Sequence, residues 1–185
     1  MRQLLVASCL AALAGAAAGC NGNPLGDAQI PNTVDTVMLG ALVGTPITLP
    51  SAYSVSTASA IRTDQTTAFD FAYDVLPDGR HVFLPLALLG LTSSTAAPGL
   101  QLSDKSFADL TDPPTNGYTT IDTVTIEPSQ VYVVRGRVVC TALGVPQYGK
   151  IHILSFDDAD RTVTFEALAN TNCGFRSLVP GVPGD

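Results

Sequence analysis

Alternation with a period of two dominates this chain. Over residues 68–75, Phe69, Phe71, Tyr73 and Val75 share one face, and Asp70, Ala72 and Asp74 share the other. This is the signature of a strand with one apolar and one wet face. Leu76, Pro77, Asp78, Gly79 and Arg80 follow as a turn, because Pro presets φ and Gly accepts a positive φ after Asp. Residues 82–89 are largely apolar and predict the return strand of a hairpin, with Pro85 marking a bulge or an edge position. A second hairpin is predicted from 149–156 and 161–168 around Asp157-Asp158-Ala159-Asp160. In it Ile151 and Ile153 face Val163 and Phe165, while Lys150, His152, Leu154 and Phe156 form the opposite face. Residues 131–140 alternate as well. Tyr132, Val134, Gly136, Val138 and Cys140 lie on the core side, and Gly136 marks a bend or bulge.

Weaker signals fill the remainder. Residues 33–39 and 121–126 alternate, and 46–50 read as a short strand bounded by prolines. Residues 51–60 fit strand or loop. The one candidate helix lies within 100–110, a turn or two capped by Ser103 and holding Phe107 and Leu110. Strand signals separated by Gly, Pro and Asn turns predict an all-β fold, an antiparallel β-sandwich of seven to nine strands, with a small barrel as the alternative.

The front of the chain has a different pattern. Arg2 precedes an apolar run of about 15 residues rich in Ala and Leu, shorter than the roughly 20 residues of a membrane span and suited to a processed export signal. The run ends in Ala17-Ala18-Gly19-Cys20, which resembles the lipobox of bacterial lipoproteins. That resemblance implies removal of residues 1–19 and acylation of Cys20, which would then anchor the protein to the lipid bilayer of a cell membrane or outer membrane. Ala16-Ala17-Ala18 also suits ordinary signal cleavage, which would leave a free secreted protein. After Cys20, residues 21–32 are polar and punctuated by Gly and Pro. They read as a tether reaching roughly 35–40 Å when extended, with a single β domain over 33–178 and a Pro/Gly-rich tail over 179–185.

Cys9 leaves with the signal, and Cys20 is assigned to lipid. Cys140 and Cys173 remain and form a natural disulfide in an exported chain. After removal of the signal, eight Lys and Arg oppose sixteen Asp and Glu, a net charge of −8. An acidic chain without basic clusters argues against a nucleic-acid partner.

Candidate chemistry is sparse. Asp157, Asp158 and Asp160 are the best metal candidates, since calcium takes six to eight oxygen ligands. Their spacing departs from the EF-hand loop, and a hydrophilic hairpin turn with Asp side chains on local amides is the favoured account. Asp70 and Asp74 share a strand face about 13 Å apart, wider than the roughly 5–9 Å of glycosidase carboxylates. His81 follows a turn and His152 lies in a strand, with no G-x-S-x-G elbow to supply a nucleophile. Arg135 and Arg137 share one strand face and suit an anion, a partner's carboxylate or cross-strand pairing. No cofactor motif occurs, and no residue set is assigned to catalysis. Two functions follow. One is a membrane-tethered envelope domain with a non-enzymatic binding or structural role, its partners the bilayer and an envelope protein. The other is an envelope hydrolase or calcium-dependent binding module using the 157–160 turn.

Overall fold

The chain builds ten short strands, β1 (Val34–Gly40), β2 (Ala52–Ser54), β3 (Ser59–Ile61), β4 (Phe71–Val75), β5 (His81–Pro85), β6 (Gly99–Ser103), β7 (Val124–Thr125), β8 (Val131–Arg135), β9 (Tyr148–Asp157) and β10 (Thr162–Asn170). They are seen in a computed structural model that describes residues 26–92 and 96–184. The signal-like segment, Cys20 and Asp185 lie outside the described residues. The strands form two five-stranded sheets, ordered β1-β10-β9-β8-β6 and β3-β2-β4-β5-β7, with every pairing antiparallel. The fold is the expected all-β sandwich, with ten strands where seven to nine were predicted, because several are only two or three residues long. No helix occurs among the described residues.

The main core lies between the sheets. Phe71, Tyr73 and Phe83 from one sheet meet Tyr132, Ile151, Ile153, Val163 and Phe165 from the other. The rings of Phe71 and Phe83 pack at 4.5 Å, and Phe165 meets Phe83 edge-on at 6.0 Å, arrangements that add to simple area burial. Both outer faces also carry small cores. Residues Phe107, Leu110, Tyr118 and Leu178 cover Val131, Val133 and Leu168 on one sheet. Phe69, Ala72 and Leu86 pack together on the other. This double covering explains why all of Val131, Tyr132, Val133 and Val134 are buried, where alternation predicted only one face inside.

Both predicted hairpins form. Gly79 takes a φ of +85° in the β4–β5 turn, as the Asp-Gly pair requires. In the β9–β10 hairpin, Ile153 pairs with Phe165 but Ser155 pairs with Thr164, so Leu154 is an extra residue in a bulge. The bulge reverses the side-chain parity. Phe156 therefore packs against the main core rather than joining Lys150 on the outer face.

Several local expectations are corrected. Residues 46–50 form a turn closed by Leu49 N–H on Pro46 O, not a strand. The strand expected over 82–89 stops at Pro85, and a chain of turns follows it. Residues 51–60 resolve into the β2–β3 hairpin. The predicted helix is replaced by β6 pairing with β8, and a single turn whose Ser106 hydroxyl accepts from Asp109 N–H. Over 121–126, only Val124 and Thr125 are strand.

The first and last described segments are knitted into one end of the sandwich. Ala28 is buried, and the Gln29 and Ile30 amides both donate to Asn172 Oδ1, at 3.1 and 3.0 Å. Asn32 and Gly181 exchange backbone hydrogen bonds of 2.8 and 3.0 Å. Contact with the sandwich thus begins ahead of residue 33 and continues past 178. The expected disulfide, Cys140–Cys173, braces the same end. It closes a loop with a sequence separation of 33, for which loop-closure entropy gives about 3–4 kcal/mol. Reduction, or Cys140→Ser with Cys173→Ser, is expected to lower the unfolding free energy by about that amount in a denaturant titration. Equal midpoints and slopes for both forms would contradict the brace.

Candidate functional site

One polar cluster, around His81, lies at the sandwich end opposite the Cys140–Cys173 disulfide. His81 opens β5, and its ring stacks on Phe156 at 3.8 Å between centroids. Its Nδ1 lies 2.7 Å from Tyr73 Oη, and its Nε2 lies 3.0 Å from Asp158 Oδ1. Tyr73 is buried, and desolvation pushes its phenol above the ordinary range. The phenol therefore keeps its proton, and His81 bridges Tyr73 and Asp158 through its two ring nitrogens. The stacking depends on the Leu154 bulge, which carries Phe156 inward. His152 lies nearer to Asp157 and Asp158 in the sequence but has a different partner. His152 faces Glu166 across the β9–β10 pair, with Nδ1 3.4 Å from Oε2.

The aspartate-rich turn is held by its own backbone. Asp157 Oδ1 accepts from the Ala159 and Asp160 amides, both at 3.0 Å. Arg161 follows with a φ of +52° and donates to Val43 O and Val75 O, pinning the turn to two other segments. Among the described residues, no group of three or more His, Cys, Asp or Glu side chains is placed to hold a metal ion. A shallow groove of about 480 Å³ beside the turn is lined by Met38, Leu49, Ser155, Asp157 and Thr164, among others.

Asp70 and Asp74 separate rather than converge. Alternation placed Asp70 on a wet face, but it lies just before β4 and is almost wholly buried. The chain bends there, so Phe69 joins Ala72 on the outer face. Asp70 Oδ2 accepts from Val55 N–H at 2.7 Å, and Oδ1 accepts from Arg137 N–H at 2.8 Å and Arg137 Nε at 3.3 Å. Burial pushes its carboxyl above the ordinary range, against the pull of the two amides and the guanidinium. Asp74 sits at the far end of β4, accepting from Val75 N–H.

Arg135 and Arg137 are both engaged internally. Arg137 pairs with Asp70 across the two sheets. Arg135 donates to Ala97 O at 2.7 Å and lies over the Tyr118 ring at 5.0 Å. Tyr148 stacks under Arg176, and Tyr132 donates to Thr125 O. A buried cation that alternation placed on a wetter face is Lys150. It lies under the 107–110 loop, with Nζ donating to Phe107 O at 2.6 Å and Leu110 O at 3.0 Å over the Phe107 ring. Its partners are carbonyls and a ring, and desolvation lowers its pKa below the ordinary lysine range. No local sequence signal marks it, since burial comes from a loop some 40 residues earlier in the chain.

These arrangements are suited to fastening loops and sheets together. Both nitrogens of His81 are occupied, and Asp70 and Lys150 are spent on backbone groups. Comparison with protein-family models, with curated proteins and with solved structures finds no match to this chain.

Asp70→Ala leaves two amides and a guanidinium without their acceptor, and removing one partner of a buried pair costs about 3–5 kcal/mol. Arg137 can still turn partly to water, so the expected loss is about 3 kcal/mol by denaturant unfolding; a loss under about 1 kcal/mol would contradict the role given to Asp70. For Lys150, the unfolded state holds the proton more tightly than the folded state. Between the depressed folded pKa and about 10.4, stability therefore rises with pH. Wild type should gain stability relative to Lys150→Met as pH climbs from neutral towards 10, and parallel pH profiles would contradict the depressed pKa.

Proposed function

We propose that this chain is a cell-envelope lipoprotein, anchored through acyl chains on Cys20, whose β-sandwich has a non-enzymatic binding or structural role outside the cytoplasm. The observation that carries this reading is the Ala17-Ala18-Gly19-Cys20 segment at the end of an apolar run. A Cys140–Cys173 disulfide suits an oxidising, extracytoplasmic compartment. The candidate polar groups support a structural role, because His81, Asp70, Arg137 and Lys150 each spend their hydrogen bonds inside the fold. Two or more acyl chains give stable anchoring, whereas one is marginal.

Expression in a bacterium that acylates lipoproteins, followed by intact mass and membrane partitioning, tests the reading. The expected chain starts at Cys20, carries a lipid mass and floats with membranes. Cys20→Ser should lose the lipid mass and move to the soluble fraction. An unmodified chain cleaved near Ala18 would overturn the lipoprotein reading and leave a secreted domain.

A further inference from the structure

The end of the sandwich where the chain enters differs from the opposite end in charge; exposed apolar side chains occur at both, with Val43 67% and Ile47 70% exposed beside the aspartate-rich turn. Three segments build it, residues 28–34, 136–147 and 171–184. They are tied together by the Cys140–Cys173 bond, by Gln147 donating to Thr171 O, by the Asn172 bonds to Gln29 and Ile30, and by the Asn32–Gly181 bridge. Large apolar side chains stand out from it: Ile30 is 51% exposed, Leu143 45%, Val179 44% and Val182 57%. Exposed Val34 and Val139 lie on the same three segments. These three segments of an acidic chain carry no Asp or Glu, and their only charges are Arg137 and Arg176. Both arginines are turned to internal partners, Asp70 for one and Pro113 O and Tyr148 for the other. Asp27 and Asp35 flank the first segment, and Asp185 follows the third outside the described residues. The opposite end presents Asp78, Asp157, Asp158 and Asp160, all exposed.

The length of chain before this end identifies its occupant. From Cys20 to Asp27, just before buried Ala28, there are seven residue steps, which span roughly 25 Å fully extended. A coil of that length averages only about 15 Å. A domain held so closely meets the membrane with the end from which the tether leaves. Resting on the lipoprotein reading above, we infer that this apolar, carboxylate-poor end seats against the bilayer surface, with Ile30, Val179 and Val182 entering the headgroup region. An interfacial seat suits scattered apolar side chains on a face whose carboxylates, Asp27 and Asp35, lie only at its margin, since anionic lipids repel acidic groups. The acidic end, with the His81 cluster, then points away from the membrane.

The test uses the full acylated protein with one added cysteine, since Cys20 is acylated and Cys140 and Cys173 are paired. Val182→Cys and Val179→Cys place an environment-sensitive dye at the tether end, and Asp78→Cys places it at the far end. Two near positions guard against one variant failing to fold. Each protein is reconstituted into protein-free vesicles of phosphatidylethanolamine and phosphatidylglycerol, with flotation as the separate readout of anchoring. The expected result is a blue-shifted dye at 182 or 179, quenched by spin-labelled lipid, and an unquenched dye at 78. Floating protein with no quenching at either near position would overturn the seat and leave the anchor standing. Protein that fails to float would overturn both. Shielding seen at 182 in native membranes but absent in these vesicles would assign the surface to a protein partner and overturn the lipid seat.

Discussion

The Asp70 carboxylate, buried between the two sheets, starts the network on which the rest of the structure depends. It accepts from the Val55 amide at the end of β2 and from both backbone and side chain of Arg137, beyond the end of β8. A charge in that position is tolerable only with its hydrogen bonds filled. Gly136 leaves room for the approach, since a Cβ there would sit 3.1 Å from Val55 and 3.3 Å from the Asp70 carboxylate. With Arg137 fixed, the following hairpin brings Cys140 to Cys173, and Asn172 beside it takes the amides of the entering chain. Sheet, loop, disulfide and terminus are thus linked in series.

That series gives the sandwich two different ends. One gathers the first and last described segments, the disulfide and exposed apolar side chains on segments without carboxylates. The other gathers aspartates and the Tyr73–His81–Asp158 chain, held by the Phe156 stack and the Arg161 bonds. An acidic domain tethered to an anionic surface faces repulsion unless its charge is directed away, within a Debye length of about 8–10 Å. In the proposed membrane seat, the distribution of charge here meets that requirement.

Much of this was readable in the chain. The aromatic alternation of Phe71 and Tyr73, the Asp78-Gly79 turn and the apolar runs around the 157–160 turn all carry local causes, and local causes leave a local pattern. The disulfide was legible because, with Cys9 in the signal-like run and Cys20 in the lipobox-like segment set aside, two cysteines are left to pair. What the pattern hid were long-range events. Asp70 reads as a wet-face residue until Arg137, 67 positions later, covers it. Phe156 reads as outward until the Leu154 bulge reverses its parity. Lys150 reads as surface until the 107–110 loop folds over it. The helix expected within 100–110 lost to pairing of Leu100 and Leu102 with β8, where tertiary context overrides a short helical signal.

The most direct measurement is amide hydrogen exchange at Gln29, Ile30 and Asn32 in the disulfide-bonded protein. If the entering chain is clamped by Asn172 and Gly181, these three amides exchange slowly, with protection that falls when the disulfide is reduced. Exchange at the rate of an unstructured peptide would mean a tether running free to residue 33, a longer reach from the membrane, and no basis for a braced, membrane-facing end.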